Sequence, residues 1–144
     1  MEQSAKSDDR TLEVLQRNGP IYAALVGLTT LAILLQAVFA GEFIQRGTQS
    51  SWLSAHDVNA DVVIGLAVVT AVFALVRLRS AARSLAIGAV VLLVLVIAQA
   101  VIGHAITQSS DDGLIPLHVP LALLIFGLAV WLSVRARTLR RFSR

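Results

Sequence analysis

Three histidines, His56, His104 and His118, are the obvious transition-metal donors of this sequence, because it contains no cysteine. Two of them occupy matching places in an internal repeat. Gln36-Ala37-Val38 is followed after 17 residues by His56, and Gln99-Ala100-Val101 after 16 residues by His118. Each histidine leads into alanine at +4, Gly-Leu-Ala-Val from +9 to +12 and then an Arg-x-Arg pair. The copies are His56, Ala60, Gly65 to Val68, Arg77 and Arg79, and His118, Ala122, Gly127 to Val130, Arg135 and Arg137. Two equivalent imidazoles set face to face can ligate a haem iron from opposite sides. The expected chemistry is therefore a bis-histidine b-type haem site with His56 and His118 as axial ligands.

The elements that must position these residues are membrane helices. Hydrophobic residues make up 56% of the 144 positions and the mean hydropathy is +0.77, beyond the range of an ordinary soluble domain. Four apolar segments, at about 20–40, 58–76, 84–104 and 116–134, are each near the ~20 residues that a helix needs to cross hydrocarbon. The first, third and fourth contain no Asp, Glu, Lys or Arg. Backbone groups cannot stay unpaired in lipid, so these segments are expected to be helices. Short connections make successive helices antiparallel neighbours, which predicts an all-α, up-down four-helix membrane bundle built from two hairpins related by a pseudo-twofold axis.

Orientation follows from charge. Eleven of the twelve Lys and Arg lie in the N-terminal segment (Lys6, Arg10, Arg17), the middle loop (Arg77, Arg79, Arg83) and the C-terminal segment (Arg135, Arg137, Arg140, Arg141, Arg144). The positive-inside rule then predicts cytoplasmic termini, with the longer loops, about 41–57 and 105–115, outside a bacterial cell membrane. The outer side carries Arg46 against Glu42, Asp57, Asp61, Asp111 and Asp112. The pI of 10.6 therefore reflects topology and gives no reason to expect a nucleic-acid partner. Residues 1–19 read as a polar cytoplasmic tail, with a short surface helix over Thr11–Arg17 and a break at Asn18-Gly19-Pro20. Residues 20–137 form the membrane domain, and 138–144 a basic tail against anionic lipid. A cleavable signal peptide ending at Val38-Phe39-Ala40 is the alternative for the first span, but its apolar stretch exceeds the usual ~7–15 residues, so a retained helix is expected.

At about 100° per residue, +4, +7 and +11 share the face of each histidine. Those positions are Ala60, Val63 and Ala67 below His56, and Ala122, Ile125 and Ala129 below His118. The alanines leave a shallow apolar slot for a flat macrocycle. Gly65 and Gly127, at +9, point the opposite way and are assigned to close helix packing. Gln36 and Gln99 are candidates to bond a ligand imidazole or a haem propionate, and His104, whose repeat counterpart is Gly41, to act as a propionate partner or proton relay. Asp57 is expected to cap its helix. A zinc or copper ion on His56, His104 and His118 with Asp57 or Asp61 is the competing metal reading; it requires every ligand to converge within ~2 Å of one ion.

The segment Gln99-Ala100-Val101-Ile102-Gly103, His118 and Leu121 to Gly127 resembles the third and fourth helices of a haem A synthase half-domain. Over most of residues 20–137 the chain is similar to one of the two four-helix bundles of that family. The resemblance implies that His56 and His118 take the places of paired haem ligands. The family has glutamate three residues before its first histidine and arginine directly after it, where this sequence has Leu53 and Asp57. The chain also resembles small bacterial four-helix membrane proteins with the same outer histidines. The resulting expectation is a haem b protein acting in electron transfer or haem handling, with no catalytic residue of its own. A cofactor-free subunit or assembly factor of a larger membrane complex is the alternative, followed by a haem-modifying enzyme. Expected partners are lipid, a larger membrane complex or a redox protein on the outer side.

Overall fold

The structure is a computed structural model that describes residues 2–47, 50–109 and 112–142, with side chains described over 9–47, 50–108 and 113–138. Four helices make up the fold: α1 (Glu2–Arg46), α2 (Ser51–Arg77), α3 (Arg83–Ser109) and α4 (Ile115–Phe142), with a single 3₁₀ turn at Asp112–Leu114 ahead of α4. Each helix packs against its two neighbours in the order α1, α2, α3, α4 and back to α1, while α1 and α3, like α2 and α4, stand diagonally apart. This is an all-α four-helix bundle. Each helix is long and apolar enough to cross a membrane.

The bundle turns its apolar side chains outward as well as inward. No more than 33% of the apolar window of any helix is buried, and Ile44, Val76 and Leu123 are among many large aliphatic side chains left exposed. So much uncovered apolar surface is suited to hydrocarbon and ill suited to water. The interior is narrow and rich in alanine, with Ala67, Ala71, Ala74, Ala82, Ala86, Ala89, Ala129 and Ala136 all buried. Small side chains let helix backbones approach closely, which supplies van der Waals contact where lipid removes most of the hydrophobic drive between helices. Gly88 serves the same end, since a Cβ there would come within 2.7 Å of Leu132 Cδ2.

Gly65 and Gly127 do not pack against another helix of the chain, contrary to expectation. Both are exposed, and a Cβ at either would meet nothing within 4 Å. Their +9 offset places them opposite the buried histidine face, on the outside of the bundle.

The break expected at Asn18-Gly19-Pro20 is also absent, for α1 runs through it without interruption. A proline inside a helix costs about 3 kcal/mol in isolation, because it removes a donor and crowds the preceding turn. Here packing offsets that cost. Val14, Asn18, Tyr22, Val26, Thr29 and Ile33 follow one another at three- and four-residue steps on a single inward stripe that passes straight across Pro20. Asn18 donates to the Val14 carbonyl at 2.9 Å, and the buried Tyr22 hydroxyl reaches the Leu85 carbonyl of α3 at 3.4 Å.

The connections are shorter than the sequence suggests. α1 extends to Arg46 and α2 begins at Ser51, because aromatic and charged contacts hold the added turns together. Phe39 lies 6.0 Å from Trp52 between ring centroids, Arg46 pairs with Glu42 at 2.6 Å, and its guanidinium lies 5.9 Å from the Trp52 ring centre. Gly47 takes the left-handed conformation (φ 89°) that ends α1. At the other end, fully buried Leu78 anchors the turn between α2 and α3, its carbonyl accepting from Ala81 and Ala82 at 3.1 and 2.7 Å.

Candidate functional site

At the end of the bundle where α1 gives way to α2 and α3 to α4, the inward stripes change from alanine and leucine to histidine, glutamine and asparagine. Polar groups at membrane depth are costly unless bonded, so the bonding of each is informative. His56 and Gln36 clamp each other: Gln36 Nε2 donates to the His56 carbonyl at 2.9 Å, and His56 Nδ1 lies 3.2 Å from the Gln36 carbonyl. A carbonyl oxygen only accepts, so this bond holds a proton on Nδ1 and leaves Nε2 as the imidazole nitrogen with a lone pair. Histidines that ligate metals commonly donate their other ring N–H to a backbone carbonyl in this way. The edge of Phe43, 5.2 Å away between ring centroids, fixes the ring from another side.

Asn59, one turn beyond His56, completes this network. Its Nδ2 donates to Gln36 Oε1 at 2.5 Å and to the Ala32 carbonyl at 2.9 Å. Sequence reasoning overlooked Asn59, because it lies outside the repeated motif. The available signal was an amide side chain three residues after His56 in an apolar span, where polar groups usually face the bundle interior.

The second copy begins in the same way and then differs. Gln99 Nε2 donates to the His118 carbonyl at 3.0 Å, repeating the Gln36 contact. Yet Gln99 Oε1 and His118 Nδ1 are buried with no hydrogen-bond partner. Leu121 stands where Asn59 stands in the first copy, so no amide donor reaches Gln99. The His118 ring rests against Gly103 of α3, where a Cβ would sit 3.0 Å from Cε1.

Between the two networks lies a cavity of about 70 Å³. Its wall is drawn from matching places of the repeat: Ile33 with Val96, Gln36 with Gln99, Ala60 with Ala122, and Val63 with Ile125, Ala100 being the one without its counterpart. His56 and His118 are carried on the diagonal helices α2 and α4, and neither imidazole lines the cavity itself. Of the remaining candidates, Ala67 and Ala129 are fully buried in the core and do not line the cavity. His104 is exposed on α3, its carbonyl accepting from Thr107 Oγ1 at 3.1 Å, and is no part of the cavity wall. Asp57 and Asp61 are likewise exposed, and the side-chain oxygen of neither caps α2.

Among the described residues, no three His, Asp or Glu side chains gather closely enough to hold an ion. The arrangement instead offers one imidazole on each of α2 and α4, near a cavity walled by small and aliphatic side chains and two glutamines. No protein-family model matches the sequence, and comparison with curated proteins and with solved structures finds no match to either.

Proposed function

We propose that this chain is a multi-pass protein of the cell membrane that binds one b-type haem between His56 and His118, as a small electron-transfer or haem-handling subunit. The observation that carries this reading is the cavity walled by matching residues of the two histidine-bearing hairpins, beside His56 with its Nε2 left free by the bond of Nδ1 to the Gln36 carbonyl. Porphyrin supplies four nitrogen donors to iron, so the protein need furnish only two. The donor set therefore fits a haem and falls short of what a bare zinc or copper ion takes. The four repeat-matched pairs around the cavity support two hairpins related by a pseudo-twofold axis near this end. The segregation of basic residues supports an outward-facing histidine end and cytoplasmic termini.

A bound haem would supply a one-electron redox centre. The chain's own contribution is to orient and desolvate. Gln36 fixes the His56 tautomer, Phe43 fixes its ring, and Ala60, Ala122, Val63 and Ile125 present apolar surface that excludes water. Gln99 Oε1 and His118 Nδ1 remain able to bond a polar edge or an ordered water.

One observation favours a second reading, a cofactor-free subunit of a larger complex. About 70 Å³ holds a few waters, whereas pockets for drug-sized ligands run to roughly 300–1,000 Å³. A haem requires the ends of α2 and α4 to part above the closely packed Ala67 and Ala129. The deciding test is the absorption spectrum of purified protein, oxidised and reduced, for wild type, His56→Ala and His118→Ala. Sharp low-spin bands that are lost or turn high-spin in both variants are the expected result. A colourless wild type, even after haem is added back, rejects the haem reading and leaves the structural subunit.

A further inference from the structure

At the opposite end of the bundle, α2 and α3 frame a second recess, a groove of about 560 Å³. Its wall is Leu75 of α2 and Ile87, Val90 and Val91 of α3, and its mouth carries Arg79 and Arg83. Both arginines are exposed, and no carboxylate among the described residues pairs with either. From Arg83 to Val91 the apolar wall rises along α3 for about 12 Å at the helical rise per residue.

We infer that this groove is a binding site for one anionic phospholipid, the two guanidinium groups holding its phosphate and the wall of Leu75, Ile87, Val90 and Val91 holding the upper part of an acyl chain. Charge and polarity together select this occupant. Guanidinium groups match phosphate oxygens in geometry and charge, and they stand where the apolar surface of the helices ends. Basic pockets between membrane helices at that depth take anionic headgroups. A peptide laid along the same wall would have backbone groups to satisfy against aliphatic side chains, at a cost that an acyl chain avoids. The volume falls within the range of sites that enclose a small organic ligand. This site shares no residue with the histidine end and stands or falls without it.

The test is native mass spectrometry of the full chain released from bilayers containing equal parts of phosphatidylglycerol and phosphatidylcholine with matched acyl chains. One phosphatidylglycerol should be retained in preference to phosphatidylcholine. Arg79→Gln with Arg83→Gln should weaken that retention about tenfold or more. Val91→Trp, which fills the groove and leaves both charges in place, should weaken it comparably. Arg135→Gln with Arg137→Gln, at the same end but outside the groove, should leave it unchanged. Equal loss in the two arginine pairs would show only diffuse interfacial charge and overturn the site. Displacement by inorganic phosphate, with no effect of Val91→Trp, would make it a simple anion site and overturn the lipid assignment. Retention of a second copy of the chain in place of lipid would do the same.

Discussion

The hairpin of α1 and α2 and the hairpin of α3 and α4 carry the same histidine motif and differ in how their polar atoms are used. In the first, Gln36, His56 and Asn59 satisfy one another, and deeper in the bundle the hydroxyls of Thr29 and Thr70 meet at 3.1 Å. In the second, Leu121 replaces Asn59, Leu92 and Leu132 replace the two threonines, and Gln99 Oε1 and His118 Nδ1 are left buried without partners. Matching backbone positions thus hold one imidazole in a locked tautomer and one with bonding capacity in reserve. Buried unpaired polar atoms cost about 1–3 kcal/mol each, so the polar layer of the second hairpin is held less firmly than that of the first.

The largest test of this contrast makes one substitution at both equivalent positions. Gln36→Leu removes the acceptor of Asn59, the donor to the His56 carbonyl and the partner that orders this end of α1 against α2. It should destabilise the protein by roughly 2 kcal/mol. Gln99→Leu loses one hydrogen bond and also removes an unpartnered oxygen, so its net effect should stay within about 0.5 kcal/mol. Denaturant unfolding in mixed micelles measures both. Equal losses would show that the two hairpins are energetically alike and that the unpaired atoms carry no meaning.

A smaller difference is expected at the threonine layer. Thr29→Val alone strands the Thr70 hydroxyl, and Thr70→Val alone removes the partner of Thr29, which keeps its bond to the Leu25 carbonyl at 2.9 Å. Each single change should cost about 1 kcal/mol, with Thr70→Val the milder. The double variant, which makes this layer apolar like its Leu92 and Leu132 counterpart, should cost less than the sum. Additive losses in a double-mutant cycle would mean that the hydroxyl pair is not a unit.

How much of this was legible beforehand depended on whether periodicity or a particular neighbour decided the outcome. Four apolar stretches of spanning length gave the four helices, and the 100° rule put Ala60, Val63, Ala67, Ala122, Ile125 and Ala129 on the inward face. The repeat singled out Gln36 and Gln99, which do meet the backbone of the histidine-bearing helices. Asn59 was missed because a search for duplicated residues passes over a residue present once. The passage of α1 through Pro20 was missed because proline and glycine are local signals, whereas the stripe from Val14 to Ile33 that overrides them is stabilised by three other helices. Gly65 and Gly127 were misassigned for a related reason. Glycine favours close packing only where another helix is present, and residue type alone cannot place that helix.

The smallest expected effects concern glycine, where the second hairpin can be probed on its inside and its outside. Gly103→Ala places a methyl 3.0 Å from His118 Cε1, and the ring must shift because it is enclosed at its Nδ1 side. A loss of about 1 kcal/mol is expected from that crowding, set against a gain in helix propensity of similar size, so the net change in stability should be slight. The diagnostic readout is therefore the imidazole. Its ¹⁵N and ¹³C resonances should move at His118 and stay fixed at His56, whose ring is held by Gln36 and Phe43. Gly127→Ala, with open space around the new methyl, gains propensity without crowding and should leave both imidazoles unmoved while raising stability by roughly 0.5 kcal/mol. If Gly103→Ala leaves the His118 resonances unchanged, the ring does not rest on that glycine, and the difference between the two histidines lies in their polar partners alone.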